Sequence, residues 1–148
     1  MNALPMYERL EELVFGQIPD VKIKVAKTQI TFATKRGFAF VSFNPCRKAK
    51  ERPAAWITVT FGLGYRKESP RIDVATEPYP GRWTHHVMVG NAEEIDEELI
   101  GWIREAADFA ASKSTYTRFA FNWFLNTSTT FSDSFLRIKP WLTCTQVN

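Results

Sequence analysis

Gln29-Ile30-Thr31-Phe32-Ala33-Thr34-Lys35-Arg36-Gly37-Phe38-Ala39-Phe40-Val41-Ser42-Phe43 is the stretch whose reading decides the fold class. Ile30 and Phe32 alternate with Gln29 and Thr31, the period of a strand whose successive side chains point to opposite faces. Lys35-Arg36-Gly37 interrupts the run before a second apolar one. Residues 28–34 and 37–43 are therefore expected to form an antiparallel hairpin, with Gly37 taking the unusual backbone angles of its turn. Upstream, Val21, Ile23 and Val25 oppose Lys22 and Lys24 in the same alternation. Downstream, Ala55 to Phe61 sets Ile57, Val59 and Phe61 against Trp56, Thr58 and Thr60, and Gly62 and Gly64 are expected to end that strand. Between them, residues 44–54 hold Asn44, Pro45, Pro53 and five charges, and predict an exposed basic loop.

Further along, Arg71 to Ala75 predicts a short strand, and Glu77-Pro78-Tyr79-Pro80-Gly81-Arg82 reads as a turn-rich segment outside any regular element. It leads into Trp83 to Val89, where Trp83, His85, Val87 and Val89 share one face and Thr84, His86 and Met88 the other. Helical spacing brackets these strands. Met6, Tyr7, Leu10, Leu13 and Val14 predict a helix over 4–15, begun near Pro5 and closed by Gly16. Ile95, Leu99, Ile103 and Ala106 predict a second helix running to about Lys113, with Asn91 and Glu94 as a capping box. The expected architecture is α+β: a mainly antiparallel sheet of five or six strands between an N-terminal and a C-terminal helix, both packed on one face.

With 148 residues, 45% hydrophobic and 24% charged, the chain supports one core and has the composition of a soluble domain. Cys46 and Cys144 make neither a disulfide framework nor a C-x-x-C zinc pair, and no apolar run approaches the ~18 residues of a membrane span. The N-terminus has neither the basic nor the apolar region of a secretion signal. A cytoplasmic protein with no membrane partner is the expectation. The formal charge of +3 hides segregation, because residues 21–82 carry thirteen Lys and Arg against four acids, whereas residues 92–111 carry one Arg against seven acids. Charge acts locally over about a Debye length, roughly 8 Å at physiological salt, so the basic centre matters more than the total. An alternative is that the acidic helix merely offsets a basic sheet.

Five segments carry a family resemblance: Val-Lys-Ile-Lys-Val-Ala-Lys-Thr-Gln-Ile at 21–30, Phe-Ala-Phe-Val at 38–41, Gly-Leu-Gly at 62–64, Ser-Pro-Arg-Ile at 69–72, and Pro-Tyr-Pro-Gly-Arg-Trp-Thr-His-His-Val at 78–87. Over about residues 4–112 the chain resembles the uncharacterised bacterial DUF5655 domain family. The resemblance implies a compact α+β domain, found alone or appended to larger proteins, some associated with DNA-processing systems. It implies no particular activity. Residues 1–112 are accordingly read as one domain and 113–148 as an extension, with eight aromatic residues and eleven Ser and Thr. Tyr116, Phe119, Ala120, Trp123 and Phe124 fall at helical spacing. The extension either packs back on the domain, awaits a partner, or is an accidental addition to it.

For function, Lys27, Arg66, Arg71, Arg82, Trp83 and His85 form the candidate ligand-binding set, since guanidinium groups around an aromatic ring suit an anionic planar ligand such as a nucleotide. The competing reading packs Trp83 and His85 under the second helix and leaves the arginines to solubility. His85 and His86, adjacent in a strand, point to opposite faces and cannot chelate one ion, so no metal ligand is assigned. Glu93, Glu94, Asp96, Glu97 and Glu98 make an acidic ridge, which suggests a metal-handling domain as the alternative function. No G-x-S-x-G, P-loop, G-x-G-x-x-G or H-E-x-x-H motif is present, so no catalytic residue and no cofactor is assigned, and a small enzyme assembled only in three dimensions stays open. The expectation is a non-enzymatic binding or regulatory domain for an anionic ligand or a protein partner, with nucleic acid weakly supported by the 47–52 basic loop.

Overall fold

The computed structural model describes residues 2–124, with 113–124 described as helix backbone. The chain runs α1 (Leu4–Gln17), β1 (Lys22–Val25), β2 (Gln29–Ala33), β3 (Gly37–Ser42), β4 (Ile57–Leu63), β5 (Val74–Tyr79), β6 (Arg82–Val89) and α2 (Glu97–Phe124). The six strands form one sheet in the order β1-β2-β3-β4-β6-β5, and every neighbouring pair is antiparallel. The α+β architecture, with a helix at each end of the sheet segment, is the one the alternations predict.

Alternation sorts the side chains to two faces. Phe32, Ala39, Val41, Val59, Phe61, Val87 and Val89 point to one face and join Met6, Leu10 and Val14 of α1 and Leu99, Ile100, Ile103 and Ala106 of α2 in a single core. Each of the larger side chains contributes roughly 1.5–3 kcal/mol by leaving water. The opposite face carries Thr31, Phe40, Thr58, Thr60, Thr84, His86 and Met88. Among the described residues no α-helix lies on it, and the 43–56 connection covers part of it: Thr58 Oγ1 donates to the Asn44 carbonyl at 2.6 Å, and Arg47 reaches the Met88 carbonyl at 3.4 Å.

Several local expectations are corrected. β4 continues through Gly62 to Leu63, because Gly62 pairs with Thr84 and Leu63 with Trp83. The segment 77–82 is absorbed by the sheet: β5 extends to Tyr79 and includes Pro78, with only Pro80 and Gly81 left as the turn. An edge strand bonds on one side only, so a proline without an N–H is tolerated there, next to a register shift between Thr76 and Tyr79. Gly81, at φ +68°, takes the left-handed conformation that was expected of Gly37. Gly37 is needed for closeness instead, since a Cβ there would stand 3.0 Å from Thr31 Cγ2. Helix α1 runs past Gly16, and the left-handed residue that follows it is Asp20, φ +57°. Asn91 caps a 3-10 turn, Ala92–Glu94, and α2 itself is capped by Asp96, whose Oδ1 accepts the Leu99 N–H at 3.0 Å. The 44–54 segment is pinned rather than loose, by Arg47 Nε on Asp73 Oδ1 at 2.6 Å and by Arg52 Nε on the Arg47 carbonyl at 2.7 Å.

β4 and β5 lie on either side of β6, so the 64–73 connection must cross it. It crosses on the helix side, where Tyr65, Lys67 and Arg71 reach α2 or the residue preceding it. The aromatic spacing at 116–124 falls on helix backbone whose side chains lie outside the described residues, and the expectations for 125–148 lie outside them altogether.

Candidate functional site

The six residues of the candidate set are dispersed by the fold. Lys27 is exposed in the β1–β2 turn, at the end of the sheet opposite to Arg82. Arg71 is turned inward to the head of α2: its Nη1 donates to both Asp96 oxygens at 2.9 Å and to Glu98 Oε2 at 2.7 Å, its Nη2 bonds the Glu94 carbonyl, and its guanidinium stands 5.7 Å from the Trp102 ring centre. His85 has no exposed surface and stacks on Phe61 with ring centres 5.2 Å apart. Its Nε2 accepts the Lys67 N–H at 2.9 Å, which puts the ring proton on Nδ1. Arg66 and Trp83 stay together as a cation–π pair at 5.8 Å. Arg82 is exposed and, among the described residues, enters no ion pair.

What the fold assembles around Arg82 is a cleft of about 60 Å³ at the end of the sheet where the β2–β3 and β5–β6 turns meet. Arg36 and Arg82 stand at its rim from those two turns, and Thr60, Thr84 and Gly62 come from the central strands β4 and β6. Phe38, Phe40, Phe61 and, from α2, Ala106, Phe109 and Ala110 complete the lining. Gly62 contributes open space, since a Cβ there would meet only the Trp83 carbonyl, at 3.8 Å. Behind Thr60 stands His86, with Nδ1 2.8 Å from Oγ1. The volume is far below the roughly 300–1,000 Å³ of sites that swallow a whole ligand, so the cleft has room for one small polar group. Arginine and threonine side chains among the lining carry donors and neutral acceptors, a chemistry suited to an oxyanion.

The chain matches, over residues 1–110, the family described as Domain of unknown function (DUF5655). It belongs to the DUF5655 family. No curated protein and no solved structure matches it. The match covers α1, the whole sheet and the part of α2 that packs on it, so it includes every residue of the cleft.

Elsewhere in this DUF5655 domain several ionisable groups are paired with one another. Lys67 Nζ donates to Glu105 Oε2 at 2.8 Å and to the Tyr65 hydroxyl at 3.1 Å, and that hydroxyl donates to Glu105 Oε1 at 2.6 Å. Burial works to lower the Lys67 pKa, and the bonds to Glu105 and Tyr65 override it and hold it above the usual lysine value. Glu105 is held below the usual carboxylate value by the same bonds, against burial. Asp96 is likewise lowered, burial being outweighed by the Leu99 N–H and Arg71. The acidic ridge of the sequence is thus partly neutralised by Arg71, and among the described residues no group of three or more His, Cys, Asp or Glu is arranged to hold an ion. Burial lowers the pKa of both His85 and His86. Among the described residues no helix is long and apolar enough to cross a membrane.

Sequence reasoning found Arg82 and missed Thr60, Thr84, Arg36 and Gly62. The usable signal was parity: Thr60, Thr84 and His86 fall on the polar side of alternating strands whose other side is core.

Proposed function

We propose that this domain is a small cytoplasmic binding or regulatory module that seats the phosphate of an anionic ligand in the Arg36–Arg82 cleft. The observation that carries this reading is that Arg36 and Arg82, from two separate turns, line one cleft with Thr60 and Thr84. Among the described residues Arg82 enters no ion pair, unlike Arg71 and Lys67, whose charges are matched by carboxylates of α2 or the residue before it. The size of the cleft argues for recognition of a head group. A cytoplasmic setting accords with two cysteines that supply no disulfide framework.

Calorimetric titration of the full chain with inorganic phosphate and with a mononucleotide tests the reading. Binding is expected to weaken as salt rises, as contacts to a charged phosphate do, and Arg82→Ala is expected to reduce affinity by roughly tenfold or more, the effect of losing a charge-assisted hydrogen bond of about 1.5–3 kcal/mol. Equal binding by wild type and Arg82→Ala would remove the cleft from consideration.

A further inference from the structure

We propose that His86 is a positioning residue for this cleft: it sets the direction of the Thr60 hydroxyl, so that a tetrahedral dianion seated there binds together with a proton on the imidazole. The proposal deepens the anion reading above and rests on it. Thr60 lines the cleft, whereas His86 stands behind it with Nδ1 2.8 Å from Thr60 Oγ1. A threonine hydroxyl has a single hydrogen. If Nδ1 is bare, that hydrogen is donated to the ring and the oxygen turns lone pairs outward, which repels an anion. If Nδ1 carries a hydrogen, the ring donates to Oγ1 and the hydroxyl hydrogen is released to the cleft. A neutral imidazole reaches the second arrangement only as one of its two tautomers, while the imidazolium is always in it and adds a positive charge. Anion and proton therefore strengthen each other's binding, and the coupling is reciprocal.

The surroundings of His86 leave this coupling in charge of its protonation. Across the sheet it pairs with Thr60 of β4 and with Val74 of β5, neither of them ionisable at neutral pH. Asp73, at the head of β5, spends its carboxylate on Arg47 from the 43–56 connection and on the Met88 N–H at 2.7 Å. On its own strand, His85 faces the opposite side and Arg82 lies at the cleft rim. Burial holds the empty-site imidazole below its ordinary pKa, so the ring is neutral at neutral pH and an arriving dianion is what draws the proton in.

Sulfate is the probe, because it does not titrate near neutrality. The full chain is titrated with it at about pH 8 and about pH 6, two values that bracket the ordinary histidine pKa. Affinity is expected to rise on acidification, by at most about tenfold per pH unit, the limit for one linked proton. His86→Asn keeps an N–H near the Nδ1 position without a titrating group, and should bind sulfate with affinity independent of pH. Thr60→Val, which removes the hydroxyl in a similar shape, should bind more weakly and also lose the pH dependence. Sulfate affinity equal at both pH values in the wild type, or a pH dependence that persists in His86→Asn or Thr60→Val, overturns the role of His86 and leaves the anion reading standing. No sulfate binding, or binding unmoved by Gly62→Val, which fills the cleft, overturns both.

Discussion

His85 and His86 are neighbours in the chain and face opposite sides of β6, and the two sides treat polar groups differently. On the helix side, His85 is closed in by the Lys67 N–H, Lys67 by Glu105, and Arg71 by Asp96 and Glu98, so the Lys67 and Arg71 charges of the 64–73 connection are matched by carboxylates of α2 or of Asp96 just before it. On the other side, Arg47 is matched by Asp73, and near the turns Arg82, Thr84 and Thr60 line a cleft, with His86 bonded to Thr60. The difference teaches that a basic residue marks a site only where the fold has not already supplied its counter-charge. By composition, Arg71 and Arg82 are equivalent; by environment, Arg71 is held by two carboxylates, whereas Arg82 enters no ion pair among the described residues.

The comparison breaks most visibly in the core. Phe61, fully buried on the helix side against His85 and Trp102, is expected to cost about 3–5 kcal/mol when cut to alanine. Its neighbour Gly62 opens to the other side with space for a Cβ, and Gly62→Ala should change stability by less than about 1 kcal/mol. Denaturant unfolding of the two variants measures the contrast, and equal losses would contradict the assignment of faces.

A middle-sized effect is expected at Arg71. Arg71→Ala removes bonds to Asp96, Glu98 and the Glu94 carbonyl and leaves the carboxylates facing one another, a loss of about 1–3 kcal/mol in thermal or chemical unfolding. Phosphate affinity should be untouched, because the Arg71 knot lies apart from the cleft lining. A parallel loss of phosphate binding would show that the two sides are not separate.

The gentlest test is acid. Both histidines have folded-state pKa values lowered by burial, so the unfolded chain takes up protons first as pH falls, and stability present above about pH 6.5 declines as pH falls toward the lower folded values. Asp96 and Glu105 are also lowered, and their contribution persists until pH falls below the ordinary carboxylate range and through their folded values. Melting temperature followed against pH should therefore drop in two stages. In His86→Asn the first stage should shrink without vanishing, since His85 remains.

The sequence by itself determined the elements and their faces. A period of two in 21–43, 55–61 and 83–89 and a helical period at either end are consequences of backbone geometry, and parity alone put His85 and His86 on opposite sides. Termini of elements were less legible at Gly62, Pro78 and Gly16, where neighbours in the sheet or packing on the core override the local preference of glycine and proline. Of the candidate set, the sequence named Arg82 and Arg71 alike; that Arg82 would share a cleft with Arg36, Thr60 and Thr84 while Arg71 met Asp96 and Glu98 was not readable. Those residues lie far apart in the chain, and only strand order, register and the path of the 64–73 crossover bring them to one place or hold them apart.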